Sequence, residues 1–377
     1  MSQQRLAIIA SSLIEPGVKF RGVKRAVNNL VFGLLDMGVQ VDLLNLRTKE
    51  EEVQNPHEGL RVFRFKTRTK KESIDAVKKY LDQESTKVVF VARGHRENMI
   101  ASRLRFDKKY DDVNIYISIR NAEHVGFSFF KRLRYLAEIR FLYSKVTKVI
   151  AVSDGLRVDT QRVSGLSPDK MATLYNPTIA DSLFERAKEK PGHPWLAKEK
   201  PERTVPVLLT VGEVSKQKDF LTLVESLAIV KKQKPVRLII LGEGKGEEYT
   251  KLLERIEMLG VKDDIDLVGF QDNPFSFMAQ CNVFVLSSAW EGTANVLIEA
   301  MACGARLVST DCPSGGPNEV LGEGKYGELV PVAKPEAMAQ AIIKQLDSDP
   351  SEPASQEGCL RYTVRESVKA YRALLGV

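Results

Sequence analysis

Asn282-Val-Phe-Val-Leu286, Ser287-Ser-Ala-Trp-Glu291-Gly-Thr-Ala-Asn-Val-Leu-Ile-Glu299-Ala-Met-Ala-Cys-Gly304 and Ala305-Arg-Leu-Val-Ser-Thr310 follow one another without a break. They read as strand, acidic loop, helix and strand, which is one βαβ unit of a parallel sheet. Gly304 marks the helix end, as a glycine just past a C-terminus commonly does. The neighbours of Glu299 are apolar or small, namely Val296, Leu297, Ile298, Ala300, Met301 and Ala302. A helix apolar all round is a buried one, and a carboxylate there needs a polar partner. The free N–H groups at the helix start attract anions. Buried carboxylate, helix start and the loop carrying Glu291 together predict a pocket for a phosphate-bearing, hydroxyl-rich ligand. Taken alone, a buried glutamate such as Glu299 more commonly caps neighbouring backbone or partners a core arginine.

Working outward, short apolar strands alternate with helical patterns along the whole chain. In the first half strands are predicted near 5–11, 39–44, 60–65, 87–92, 113–119, 147–152 and 171–175. Helices are predicted near 22–37, 72–84, 96–107, 127–143 and 153–163. The pattern restarts with strands near 206–211, 236–241, 264–269, 282–286 and 305–310. Between the halves, Ala187–Arg203 is crowded with Lys, Glu and Pro, the composition of a linker or surface excursion. A length of 377 residues also argues for two domains rather than one core. The expected organisation is residues 1–178, residues 179–355, and a last helix over 356–377 packing back toward the first domain. Two doubly wound domains facing each other would place a cleft at the carboxyl ends of both sheets.

Three further loops resemble phosphate cradles. Strand Val207–Val211 runs into Gly212-Glu213-Val214-Ser215-Lys216-Gln217-Lys218-Asp219 before a helix near Phe220. A glycine, a short basic loop and a helix start suit an anion, with Lys218 the better placed charge and Lys216 solvated. Leu241-Gly242-Glu243-Gly244-Lys245-Gly246 is a weaker case, readable simply as a tight turn. Asp311–Glu319 closes the series with glycines and prolines that fix a turn. None is the nucleotide loop Gly-x-x-x-x-Gly-Lys-Ser/Thr.

Charge is uneven. Residues 1–175 hold 32 Lys and Arg against 20 Asp and Glu, a net of +12, and the remainder carries −5, to give +7 overall. A basic first half suggests an anionic partner, nucleic acid or an anionic membrane surface. No nucleic-acid recognition motif accompanies the charge, which sets that class last. The four cysteines lack Cys-x-x-Cys spacing and fit reduced core thiols in the cytoplasm. The run Leu6–Ala10 is too short for a secretory signal or a membrane span.

The second half resembles the retaining GT-B glycosyltransferases of family 4 along most of its length. The matching stretches are Val211–Phe220, Leu238–Gly244, Asp266–Phe270, Ser287–Gly304, Val308–Leu321 and Tyr326–Pro331. The first half matches more loosely, through Ala151–Ser153, Tyr175–Pro177 and the Gly22–Arg25 helix start. Within the family, Trp290–Leu321 is most similar to bacterial enzymes building surface polysaccharides and lipid-linked oligosaccharides.

By position, the resemblance implies that Lys218 and the Gly212 turn hold a donor diphosphate. Glu299 accepts from ribose hydroxyls, Glu291 contacts the transferred sugar, and Gly292, Thr293 and Ala294 present amides. The base is expected near Gly269 and Phe270. The implied reaction moves a hexose or N-acetylhexosamine from a nucleotide diphosphate sugar, UDP-linked, to a hydroxyl of a lipid-linked glycan. It retains anomeric configuration and needs neither metal nor cofactor. Acceptor candidates are Arg21, Gly22, Lys24, Arg25, His95, Asn121 and His124.

Three departures stand out. Glu213 replaces the family's usual arginine, Arg21-Gly22 replaces paired glycines, and Arg120 replaces a histidine near the donor sugar. Arg120 therefore enters as a catalytic candidate beside Glu291 and Lys218. The departures also leave room for a catalytically weak partner subunit, and the fold for a UDP-sugar epimerase. His57 and His193 are expected in loops without a role. Phe127–Leu136 mixes aromatics with Lys131, Arg132 and Arg134, so it reads either as a bilayer-interface helix or as ordinary packing of Phe127, Phe130 and Leu133 on the sheet. The expected place is cytoplasmic, peripheral at the inner face of the cell membrane.

Overall fold

In the computed structural model, residues 5–10, 22–46, 57–84, 86–348 and 356–377 are described. They form two compact units, one of residues 1–178 with 362–377 and one of 179–361.

The first unit carries strands β1 (Leu6–Ile9), β2 (Val41–Asn45), β3 (Leu60–Arg64), β4 (Val88–Val91), β5 (Asn114–Ile119), β6 (Lys148–Ala151) and β7 (Met171–Thr173). Its helices are α1 (Gly22–Asp36), α2 (Lys70–Glu84), α3 (His95–Ser102), α4 (Phe129–Glu138) and α5 (Asp154–Ser164). The sheet is wholly parallel, in the order β3-β2-β1-β4-β5-β6-β7. Every residue of β1, β2 and β4 is buried, as expected of parallel strands covered on both faces.

The second unit contains α6 (Asp181–Ala187), β8 (Val207–Val211), α7 (Phe220–Lys231), β9 (Arg237–Leu241), α8 (Gly246–Leu259), β10 (Ile265–Gly269) and α9 (Pro274–Gln280). It continues with β11 (Val283–Leu286), α10 (Asn295–Ala302), β12 (Arg306–Thr310), α11 (Gly316–Val320), β13 (Glu328–Val330) and α12 (Pro335–Asp347). Its parallel sheet runs β10-β9-β8-β11-β12-β13. In both units the chain order reverses at the sheet centre, between β1 and β4 and between β8 and β11. That reversal is the switch point at which doubly wound sheets bind ligands, beyond the carboxyl ends of the strands.

The last helix, α13 (Val364–Leu375), belongs to the first unit. Thr363 caps it by accepting from the Glu366 N–H at 3.3 Å. Its Val368, Tyr371 and Leu375 join the core that also holds Leu30, Leu34 and Phe90. Gly33 on α1 lets the two helices approach, since a Cβ there would lie 2.6 Å from Val368 Cγ2. The short segment 356–361, placed with the last helix in the sequence reading, lies in the second unit.

Two segments add detail to the sequence reading. Residues 187–203, read as a linker or surface excursion, run mostly exposed and carry two 3-10 turns, Pro194–Leu196 and Lys200–Glu202. His193 anchors the first turn, accepting from the Trp195 N–H at 3.2 Å and meeting Asp266 Oδ2 at 3.0 Å. The helix predicted over 127–143 is present, but its last part, Ile139–Tyr143, is π-helical. Among the described residues, no helix is long and apolar enough to cross a membrane.

Candidate functional site

The site is assembled from loops at the carboxyl ends of β8, β9, β11 and β12. Gly212, Gly242 and Gly269 end three neighbouring strands and join by hydrogen bonds: Gly212 N donates to Leu241 O at 2.8 Å and Gly242 N to Gly269 O at 2.9 Å. A Cβ on Gly242 would fall 1.8 Å from Gly212 O, so only glycine fits. Beyond Gly212, Val214 N donates to Glu243 O at 3.0 Å, fixing the basic loop against its neighbour. The second glycine loop, weak on sequence grounds, thus braces the first.

Asp219 sits in the left-handed region (φ 45°) and caps α7, accepting from Thr222 Oγ1 at 2.6 Å. Burial pushes its carboxyl above the ordinary value, against the opposing hydrogen bonds from Thr222. With α7 capped there, Lys218 turns back toward the strand ends. Its Nζ donates to Glu291 Oε1 at 2.5 Å, and both side chains are largely buried.

The loop carrying Glu291 is held on three sides. Ser288 Oγ donates to the same Oε1 at 2.8 Å, and Ser287 Oγ donates to the Lys218 carbonyl at 2.8 Å. Gln217 binds it through the backbone, accepting from Ala289 N at 2.8 Å and donating from Nε2 to Trp290 O at 3.0 Å. From β12, Thr310 Oγ1 donates to Ser288 O at 2.6 Å and Ser314 Oγ to Glu291 O. Gly316 lets this third loop close in, since a Cβ there would lie 2.1 Å from Gly292 O. Among the described residues, Glu291 Oε2 carries no hydrogen bond.

Ala294, also left-handed (φ 58°), is the N-cap of α10 and directly follows the Gly292–Thr293 turn. Glu299 lies one turn on and is 3% exposed. Gly304 closes the helix at φ 73°, with Ala305 N donating to Ala300 O at 3.0 Å. The structure therefore brings Gly212, Lys218, Glu291, Gly292, Thr293 and Ala294 into one cluster with Glu299 on its adjoining helix. Gly269 is tied to the cluster through Gly242, and Phe270 follows it.

The sequence reading gave no role to Ser287, Ser288, Thr310 or Ser314. Their signal was present, in a serine pair directly before the acidic loop. The arrangement can hold an anion and accept from hydroxyls, and it offers no thiolate nucleophile. Burial, then Glu291, push the Cys312 thiol up to about 12, with Lys218 only partly offsetting.

The candidates of the first unit are differently placed. Gly22 opens α1 with Lys24 and Arg25 in its first turn and no acidic residue there; Arg21, with Lys19 and Phe20, lies outside the described residues. His95 uses both ring nitrogens, Nδ1 with Tyr143 Oη at 2.8 Å and Nε2 with Glu138 Oε2 at 3.0 Å. His124 is buried 3.3 Å from Asp159, and burial disfavours its protonated form despite that carboxylate. Asn121 Oδ1 accepts from Ala122 N at 2.9 Å. Arg120, the first residue after β5, donates from Nη1 to Asn176 Oδ1 at 3.0 Å and from Nε to Ser118 Oγ at 3.3 Å.

Residues 205–348 match the family described as Glycosyl transferases group 1. An N-acetylgalactosamine-N,N'-diacetylbacillosaminyl-diphospho-undecaprenol 4-alpha-N-acetylgalactosaminyltransferase of Campylobacter jejuni is 33% identical over 211 residues, covering 56% of this chain and 54% of that one. The lipopolysaccharide core biosynthesis glycosyltransferase LpsE of Rhizobium meliloti is 36% identical over 146 residues, 39% of this chain and 41% of its own. The chain thus spans about half the length of the curated relatives it matches, or less. Anabaena HepE, solved with UDP and glucose, superposes with a TM-score of 0.71 at 17% identity over 99% of both chains. Sucrose-phosphate synthase from Thermosynechococcus elongatus gives 0.77 at 19% identity over 99% of this chain and 96% of that one. The fold is that of the two-domain, Rossmann-like GT-B glycosyltransferases, and residues 205–348 form a group 1 glycosyltransferase domain.

Proposed function

We propose that this chain is a retaining glycosyltransferase that moves a hexose or N-acetylhexosamine from a UDP-linked donor to a hydroxyl of a lipid-linked or surface-polysaccharide glycan. The observation that carries the reading is the Lys218–Glu291 pair, at the ends of the two strands flanking the switch point and beside the start of α10. The names of the Campylobacter and Rhizobium relatives support a bacterial glycan, the former one carried on a lipid diphosphate.

In this reading Lys218 and the amides of Gly292 to Asn295 receive the diphosphate. Glu299 accepts from the ribose hydroxyls, and Glu291, through Oε2, accepts from the sugar. During transfer the bond from the anomeric carbon to the β-phosphate oxygen breaks. The acceptor oxygen bonds to the same face of that carbon, and its proton passes to the departing phosphate. Charge grows on the diphosphate, where a fixed ammonium and helix amides stabilise it without reorganisation.

The reading includes peripheral contact with an anionic membrane. Phe129, Phe130 and Leu133 on α4 are 74%, 81% and 60% exposed, so Phe130 and Leu133 do not pack on the sheet. Phe127 does, joining the core beneath. Phe141 continues the exposed face and stacks on Phe106 at 6.0 Å, with Lys145 Nζ over both rings. Such a mixture of aromatics and cations suits the headgroup boundary.

Thermal melting of the wild type and Glu299→Ala with a panel of nucleotide sugars tests the donor assignment. Stabilisation by a UDP-sugar, lost in the variant, supports it. No shift with any nucleotide, in a chain that melts cooperatively, removes it.

A further inference from the structure

Arg120 holds a cation where the first unit should hold a ligand. It follows β5 directly, and its partner Asn176 lies just past β7, so both stand at the carboxyl edge of the sheet. Both partners, Asn176 Oδ1 and Ser118 Oγ, are neutral, and among the described residues Nη2 has no hydrogen-bonding partner.

The other inward arginines of this unit are satisfied. Arg5 and Arg61 share the buried carboxylate of Asp42. Arg105 makes four bonds, to the carbonyls of Tyr110, Asp111 and Val113 and to Thr147 Oγ1. Next to Arg120, within electrostatic reach, the fully buried Tyr371 hydroxyl also lacks a hydrogen-bonding partner. Burial lowers the pKa of Arg120, and no carboxylate among the described residues compensates it. A half-buried guanidinium with no carboxylate beside it is costly, and its planar fork matches phosphate and carboxylate oxygens.

We propose that Arg120 is the receptor for an oxyanion, phosphate or carboxylate, on the ligand of the first unit. The inference rests on the glycosyl-transfer reading and gives its acceptor a chemistry: the acceptor carries an acidic group. The oxyanion comes either from a lipid diphosphate or from an acidic sugar, and both would be read by the same guanidinium fork.

Calorimetric titration of the full chain decides the matter. The probes are inorganic pyrophosphate, methyl β-glucuronide and, as the uncharged control, methyl β-glucoside. The wild type should bind at least one anionic probe and bind the glucoside more weakly. Arg120→Gln should weaken the anionic probe by roughly ten- to a hundredfold, the scale of a lost hydrogen bond to a charged group. Lys218→Ala should leave that binding in place, which separates this site from the donor site. Pyrophosphate alone identifies a lipid diphosphate, and the glucuronide alone an acidic sugar. If Arg120→Gln fails to melt cooperatively, Arg120→Lys, which keeps the charge and loses the fork, should give an intermediate loss.

Binding of neither anion by the wild type, or binding unchanged by Arg120→Gln, overturns the proposal. So does binding lost only in Lys218→Ala. A UDP titration run alongside reports the donor reading independently: UDP bound with no Arg120-dependent anion defeats this inference alone.

Discussion

The ammonium of Lys218 and the carboxylate of Glu291 meet at 2.5 Å across 73 residues of sequence. Each holds the other's charge while the loops are set by Ser287 and Ser288. In the proposed reaction a diphosphate would compete for Lys218, and its arrival would release Glu291 toward the sugar. Lys218→Ala should therefore weaken UDP binding by about ten- to a hundredfold. Glu291→Gln should leave UDP affinity within a few fold while transfer falls by about a hundredfold. Calorimetry with UDP and a transfer assay read the two effects. Equal losses of UDP affinity in both variants would contradict the division of labour.

Glu299, 3% exposed on α10, is assigned to the ribose. The wild type should prefer UDP to 2′,3′-dideoxy-UDP by about tenfold or more, because the analogue leaves the carboxylate unpaired. Glu299→Ala should bind both alike. A preference that survives the substitution would move the ribose elsewhere.

Asp219 couples a cap to a buried charge. Its folded-state pKa is raised, so its stabilising contribution is full at acid pH and is lost as pH rises through that folded value. Asp219→Asn keeps the cap, tolerates the left-handed backbone and carries no charge. At neutral pH it should melt at or above the wild type, with the gap closing as the pH falls below the ordinary aspartate range. Asp219→Ala should be less stable than Asp219→Asn by about 1 kcal/mol at any pH. Denaturant melts at two pH values suffice, and an Asn variant as unstable as the Ala variant would refute the account.

The exposed face of α4 should govern membrane affinity. Phe130→Asp or Leu133→Asp removes an apolar side chain worth about 1.5–3 kcal/mol on full burial. Sedimentation with phosphatidylglycerol vesicles should fall by about tenfold or more, while UDP binding stays unchanged. Raised salt should weaken the wild type too, since Lys131, Arg132 and Arg134 contribute charge. Equal sedimentation of variant and wild type would remove α4 from the interface.

What the sequence disclosed followed from period and punctuation. Continuous apolar runs such as Val88–Val91 and Val283–Leu286 mark strands buried on both faces, and Gly304 marks a helix end. The donor loops were readable because their glycines and charges are local. What stayed hidden depends on partners remote in sequence. His193 reads as a loop histidine until Asp266 meets it, 73 residues away. Arg203 looks like linker charge, yet it binds Gln280 and Asn282 beyond a whole βαβ passage. Helix α6 buries chiefly Leu183, too little periodicity to register. Strand β13, three residues long, is recognisable only by its register against β12. Arg120 could be named from sequence, but its lack of a carboxylate could not.

The return of α13 to the first unit reverses the order in which the chain can mature. A ribosome delivers residues in sequence at about 5–20 per second, and domains generally fold as they emerge. Here Val368, Tyr371 and Leu375, which complete the core around Leu30 and Leu34, emerge after every residue of the second unit. The half translated first must wait, with its α1 surface uncovered, while the half translated second can already be native. Nascent first units are then the species most exposed to chaperones and proteases. Loss of α13 would therefore damage the first unit rather than the second.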